Sequence, residues 1–264
     1  MMKRFLLASA IVLGCFSSEA FASTVLIGTS DGTVGTLDTT TLIVSNSFDV
    51  GGSLLDIAID NSGKVFGSSG GASLISINTV TQTSSFIGLL NNFINALAFN
   101  SNNTLFGAGG GSLFSINTTT GTATAIGSIG GSYSSSGDLA FGPGGVLYGT
   151  SKSGCGANTD CLFSINTTTG VGTLVGQIGL SDVFGLAFSD GVMYGIKDIN
   201  TLISISLATG SGTVLGSYTL TSRTFGATAA APVPIPAALP LLAAGLGAMG
   251  LTSRRKKRKA ALAA

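Results

Sequence analysis

Four short elements recur in the same order along the chain, and this internal repeat constrains the fold more than any other feature. The first element is an apolar triad: Ile57-Ala58-Ile59, Leu97-Ala98-Phe99, Leu139-Ala140-Phe141 and Leu186-Ala187-Phe188. Its central Ala residues are 40, 42 and 47 positions apart. The second is Val65-Phe66-Gly67, repeated as Leu105-Phe106-Gly107, Leu147-Tyr148-Gly149 and Met193-Tyr194-Gly195. A third begins at Leu74, Leu113, Leu162 and Leu202, and a fourth ends on Ile87-Gly88, Ile126-Gly127, Val175-Gly176 and Leu215-Gly216.

Each element is strand-length, and four short strands in about 40–45 residues is the spacing of a propeller blade. Asn117-Thr118-Thr119-Thr120-Gly121 returns at residues 166–170 and more loosely at 206–210. Asn bonds the backbone two residues on and Gly takes positive φ, so the segment reads as the turn between third and fourth strands. The N-terminal unit opens on Val25-Leu26-Ile27-Gly28, which matches the second element, so its opening strand is missing. Near the other end, Thr224-Phe225-Gly226-Ala227 resembles Phe184-Gly185-Leu186-Ala187 and is expected to fill that vacancy. The expectation is an all-β, five-bladed propeller-like domain over residues 23–230, closed by a C-terminal strand that removes exposed sheet edges. An open stack of repeats and a β-sandwich are the alternatives.

Composition agrees with strands and excludes several functions. The chain has 40 Gly, only 9% charged residues, no His and no Trp. Between residues 23 and 231 there are four basic residues (Lys64, Lys152, Lys197, Arg223) against ten Asp. This stretch has no basic face for phosphates, which argues against nucleic-acid binding.

The ends carry processing signals. Residues 1–22 read as a secretory signal peptide: Lys3 and Arg4, an apolar stretch over 5–13, and Ala20-Phe21-Ala22 before Ser23. Signal peptidase is expected to cut between Ala22 and Ser23. The apolar stretch is short for a membrane span, and Val12-Leu13-Gly14-Cys15 is only a loose lipobox, with a bulky Leu13. At the other end come Val233-Pro234-Ile235-Pro236-Ala237, an apolar run to Leu251, and Arg254-Arg255-Lys256-Lys257-Arg258-Lys259. This order predicts a sorting motif or linker over 231–237, a transmembrane helix over 238–252 and a basic cytoplasmic tail over 253–264. Both ends independently place the middle of the chain outside.

The C-terminal segment resembles the PEP-CTERM class of bacterial sorting signals, in its VPLPA variant, with Ile235 in place of the usual Leu. The resemblance covers only about the last thirty residues. It implies a Gram-negative bacterium that makes exopolysaccharide, and processing by an exosortase-type membrane transpeptidase. A plain membrane anchor is the simpler alternative.

Cys155 and Cys161 flank an insertion in the fourth blade. Export predicts a disulfide between them. With no His in the chain and five residues between the two Cys, a metal site or a redox pair is disfavoured. Absence of His also removes the Ser–His–Asp arrangement. No cofactor is expected. Carboxylate-pair chemistry is left to Asp56 and Asp138, each just before an inner triad, where they could face one another across a channel. The equivalent positions are Ala96 and Gly185, so a full ring of charge is absent, and the plainer reading is that these Asp bond nearby amides. Asp31-Gly32 and Asp190-Gly191 read as turns, and Gly107 to Gly111 as a connection, not a P-loop. Tyr133 stands outside the aromatic pattern, either to stack on a sugar or to cover a loop. The functional expectation is an exported, non-catalytic surface or exopolysaccharide-associated binding or spacer protein. A polysaccharide-acting hydrolase using Asp56 and Asp138 and a lectin-like sugar binder are the alternatives.

Overall fold

Short runs of β-branched and aromatic residues, closed at both ends by Gly, Asn or Asp, favour strands and tight hairpins over helices. The computed structural model describes residues 23–229 except 71, 157 and 198, and among the described residues there is no α-helix. The signal peptide with its cut at Ala22, the sorting motif, the expected transmembrane helix and the basic tail lie outside the described residues.

In chain order, β1 (Thr24–Thr29), β2 (Thr33–Asp38) and β3 (Val44–Asp49) come first. The second blade is β4 (Leu54–Ile59), β5 (Val65–Ser69), β6 (Ser73–Asn78) and β7 (Thr83–Leu89). The third is β8 (Ala96–Phe99), β9 (Leu105–Gly109), β10 (Ser112–Ile116) and β11 (Ala123–Ser128). The fourth is β12 (Ser135–Phe141), β13 (Leu147–Ser151), β14 (Cys161–Ile165) and β15 (Gly172–Gln177). The fifth is β16 (Val183–Ser189), β17 (Val192–Lys197), β18 (Thr201–Ile205) and β19 (Gly212–Ser217), followed by β20 (Thr224–Ala229).

Every blade is a four-stranded antiparallel sheet, and the first has the order β20-β1-β2-β3. The chain is thus a five-bladed β-propeller in which one blade takes its inner strand from the C-terminal side, as the sequence predicts. Register at the closure is Val25 opposite Ala229 and Gly28 opposite Gly226. The Ser30 amide donates to the Arg223 carbonyl at 2.9 Å, and the Ser222 hydroxyl to the Asp31 carboxylate at 2.7 Å. Hydrogen bonds from the Ser222 and Thr29 hydroxyls hold the Asp31 carboxyl at about 2.

The core lies between blades. Each of the five apolar clusters joins residues of two neighbouring sheets; Ala58, Phe66 and Leu74 of the second blade, for example, pack with Leu97, Leu105 and Phe114 of the third. The recurring aromatics serve this packing. Phe66 meets Phe99 with ring centroids 5.3 Å apart, and Phe106 meets Phe141 at 5.7 Å. Ring-to-ring contacts of this kind add to area burial.

The Asn-Thr-Thr-Thr-Gly segments are turns. The Asn117 side chain accepts from the Thr119 and Thr120 amides at 2.9 and 3.0 Å, and Gly121 takes φ +78°. Asn166 does the same for Thr168 and Thr169. Each turn also rests on the preceding blade. A Cβ on Gly121 would lie 2.7 Å from the Gly88 carbonyl carbon, and one on Gly170 would lie 2.8 Å from that of Gly127. The Gly that ends each fourth element is therefore a seat for the next blade's turn. Adding a methyl group to such a seat forces backbone apart, an overpacking cost of about 1–3 kcal/mol. Gly127→Ala is expected to lower stability by that amount in urea unfolding, because its Cβ would collide with the Thr169 carbonyl. The second blade's turn has Gln82, exposed and at φ +58°, where the turns of the third, fourth and fifth blades have Gly. Gln82→Gly is expected to raise stability by roughly 1 kcal/mol in the same measurement, through relief of left-handed strain.

Candidate functional site

The inner strand of every blade pairs on one side only, so its amides on the other edge point toward the common axis with no ladder partner. Buried amides require acceptors. At the axis these come from two side chains, Asp56 on β4 and Asp138 on β12, both fully buried.

Asp56 Oδ1 accepts from the Ile57 amide at 2.6 Å, and its Oδ2 accepts from the Leu97 amide of β8. Asp138 Oδ1 accepts from the Leu139 amide at 2.6 Å. Its Oδ2 accepts from Leu186 of β16 at 2.6 Å and Ala227 of β20 at 2.9 Å. Five inner strands thus contribute one amide each, at the first residue of the repeated triad or its equivalent in β20. The two carboxyls converge on β20: Asp56 Oδ1 lies against Gly226, and Asp138 Oδ2 accepts from the amide of the next residue, Ala227. Burial pushes the Asp56 carboxyl well above the ordinary range, reinforced by the charge of Asp138. Burial likewise raises Asp138, opposed by the hydrogen bonds from Asp56 and the three amides.

Small residues at the three other equivalent positions complete the hub. Ala96, Gly185 and Gly226 occupy the places corresponding to Asp56 and Asp138. A Cβ on Gly226 would lie 2.6 Å from both the Asp56 Cα and the Ile57 nitrogen. At Gly226 the gap in the ring of charge is space that the Asp56 carboxyl occupies.

Around the hub, side chains before the third strands clasp adjacent blades. Asp160 accepts from the Val183 amide at 2.8 Å and the Ser136 hydroxyl at 2.9 Å. Asn200, at the corresponding position, accepts from the Thr224 amide at 3.0 Å. Thr224 in turn receives the Tyr218 hydroxyl at 2.8 Å. Burial raises the carboxyl of Asp160.

Cys155 and Cys161 form the expected disulfide, with Cα atoms 6.0 Å apart. Cys161 is fully buried and Cys155 packs on the core between the third and fourth blades, so the stapled loop lies on the fold. Gln177 Nε2 donates to the Cys155 carbonyl at 2.8 Å. Tyr133 covers a core: it is buried, with its ring edge-on to Phe163 at 5.4 Å, and offers no face for a sugar. Asp190 (φ +48°) and Gly191 (φ +81°) make the two-residue hairpin between β16 and β17, and Gly32 (φ +95°) turns β1 into β2.

On the side where the inner strands end, an apolar hollow of about 130 Å³ is lined by Ile59, Phe99, Phe141, Phe188 and Ala229. It could admit a single side chain. Among the described residues no three His, Cys, Asp or Glu side chains converge to hold a metal ion, and no helix is long and apolar enough to cross a membrane. Asp56 and Asp138 are brought together as the sequence suggests. Their oxygens, however, face backbone amides and each other, with no exposed surface for a substrate. The plainer sequence reading, that these Asp bond nearby amides, holds for Ile57 and Leu139, whereas the amides of other blades, Leu97, Leu186 and Ala227, were not foreseen.

No protein-family model matches the chain, and no curated protein matches it. Among solved structures it is similar to a chain of a nidogen/laminin complex, with 12% identity and a TM-score of 0.56, covering 79% of this chain and 98% of that one. It is also similar to a structural genomics protein of unknown function from Bacteroides thetaiotaomicron, at 16% identity and a TM-score of 0.50. That match covers 78% of this chain and 60% of the other. At such identities the likeness is one of fold alone.

Removing the Asp138 carboxyl orphans three buried amides, at roughly 1–3 kcal/mol for each unsatisfied group. Asp138→Ala is expected to lose about 3 kcal/mol or more in urea unfolding. A loss under about 1 kcal/mol would show that the hub is not structural.

Proposed function

We propose that this chain is an exported, non-catalytic surface protein whose propeller serves as a binding or spacer module in the envelope or exopolysaccharide layer of a Gram-negative bacterium. The observation that carries the reading is the C-terminal order of Pro-rich motif, apolar run and basic cluster, together with the N-terminal signal. Signal peptidase removes residues 1–22, and an exosortase-type transpeptidase acts near Val233-Pro234-Ile235-Pro236-Ala237. The propeller is consistent with this: its twenty strands all lie between Thr24 and Ala229, so a cut beyond Ala229 removes none of them. The burial of Asp56 and Asp138 weighs against the hydrolase alternative, which needs carboxyls open to substrate.

Glycan binding is a sharper form of the same reading, and one observation favours it. Grooves of about 470 and 350 Å³ open at corresponding places on the second and fourth blades. The first is lined by Ser62, Lys64, Ser76, Asn78, Thr83 and Ser85, and the second by Ser164, Asn166, Thr167, Thr168 and Thr173. Hydroxyl and amide groups predominate, with Lys64 of the first groove the one charged side chain, and such a lining suits sugar hydroxyls.

Intact mass of the protein recovered from its host tests the sorting reading. The expected species begins at Ser23, carries the disulfide and ends within or just after the Pro-rich motif. A mass retaining residues 238–264 would reject processing at that motif and leave a plain anchor. On a glycan array the protein is expected to bind neutral polysaccharide, and substitution of Asn78 and Asn166 by Ala to weaken binding at least severalfold; a flat array removes the glycan reading.

A further inference from the structure

We propose that Asp56 and Asp138 hold one proton between them, and that the hub is thereby a pH-sensitive lock, firm in mild acid and loosened as pH rises. The count of donors and acceptors leads there. Four carboxyl oxygens receive five backbone amides, and the two carboxyls meet at the Gly226–Ala227 step of β20. Two carboxylates in direct contact and out of water cannot both stay ionised. One proton turns their repulsion into an O–H···O bond. The five amides stabilise the single negative charge that remains on the pair. Asp138 receives three amides and Asp56 two, so Asp138 keeps the charge and Asp56 is the donor.

The surroundings supply no counter-charge. None of the other described residues of β4, β8, β12, β16 and β20 is Lys, Arg, Asp, Glu or Tyr. On the flanking β5 and β13 the only titratable group is Tyr148. The Tyr133 phenol, near enough to sense the Asp138 charge, is pushed up by its own burial and stays neutral. Lys152 sits over the Phe184 ring at 5.3 Å. Asp160 bonds Ser136, close to Asp138 in the chain, and adds negative charge.

In the unfolded chain both carboxyls titrate near 4. Above that pH the folded hub keeps a proton that the unfolded chain has lost, so ν_N exceeds ν_U and stability falls as pH rises. The folding constant drops by up to about tenfold per pH unit until the hub itself ionises. Groups lowered in the folded state act elsewhere. Asp31 is held down by the Ser222 hydroxyl and Asp38 by the Thr41 amide, while at Asp60 burial is outweighed by bonds from Ser62 and Lys64. Their contributions are complete above the usual carboxylate range and vanish only in stronger acid.

The test is urea unfolding of the full chain in mild detergent from pH 4.5 to 9. The midpoint is expected to fall steadily with pH, and Asp56→Asn, which donates to Asp138 but cannot ionise, to flatten the profile. Asp160 is also raised, so Asp160→Asn is the control and is expected to keep most of the slope. A flat or rising wild-type profile would overturn the proposal, as would flattening by Asp160→Asn alone. Should Asp56→Asn not fold, infrared spectra of Asp160→Asn decide. A carboxylic-acid carbonyl band is expected to persist at pH 7 and vanish on unfolding, and its absence at pH 7 rejects the shared proton.

Discussion

The unpaired inner edge of each first strand is the constraint on which the ring depends. A four-stranded blade leaves two edges open. The outer one meets solvent, but the inner one is driven into the axis by closure, where amides have no water of their own. Two carboxyls answer five amides. Asp56 joins β4 to β8, and Asp138 joins β12 to β16 and β20. The two groups meet at β20, where Asp56 lies against Gly226 and Asp138 accepts from Ala227, so all five blades share a single polar centre.

Outward from the axis, the remaining work is done by contact between unlike parts of neighbouring blades. Aromatic side chains fill the middle, with Phe66 on Phe99 and Phe106 on Phe141. Near the rim the turns of one blade sit on glycines of the one before, at Gly88, Gly127 and Gly176. Where β3 would receive the same treatment the pattern changes: Leu42 takes the turn at φ +58° and reaches over Gly216, so the last blade is joined to the first through a side chain. Closure by β20 then makes the first and last parts of the domain mutually dependent. A chain built this way becomes a ring only when its final strand is available.

A closed ring with a buried polar hub leaves function to its surface. That surface is rich in Ser, Thr and Asn and poor in charge, which suits a protein placed among neutral polymers outside the cell. On the axis lies the small apolar hollow ringed by Ile59, Phe99, Phe141 and Phe188. The disulfide and Asp160 fall side by side, so the covalent staple lies next to the carboxyl that clasps the fourth blade to the fifth.

Much of this was legible in the sequence because a repeat reports its own architecture. Spacing of the triads, the Asn-Thr-Thr-Thr-Gly turns and the mismatch of the N-terminal unit determined strand count, blade count and the closing role of residues 224–229. The Cys pair was legible from its short spacing and the expectation of export. What could not be read was which positions meet across the ring. Asp56 and Asp138 lie in different blades, and nothing local distinguishes an acid open to a channel from one sealed by amides. Likewise Gly127 resembles any strand-end glycine until the Thr169 turn is placed upon it. Periodicity is a property of neighbours along the chain, so the sequence alone decided the strands and their order. Burial and proton sharing at the axis arise only when five distant strands converge, and only the tertiary structure could decide those.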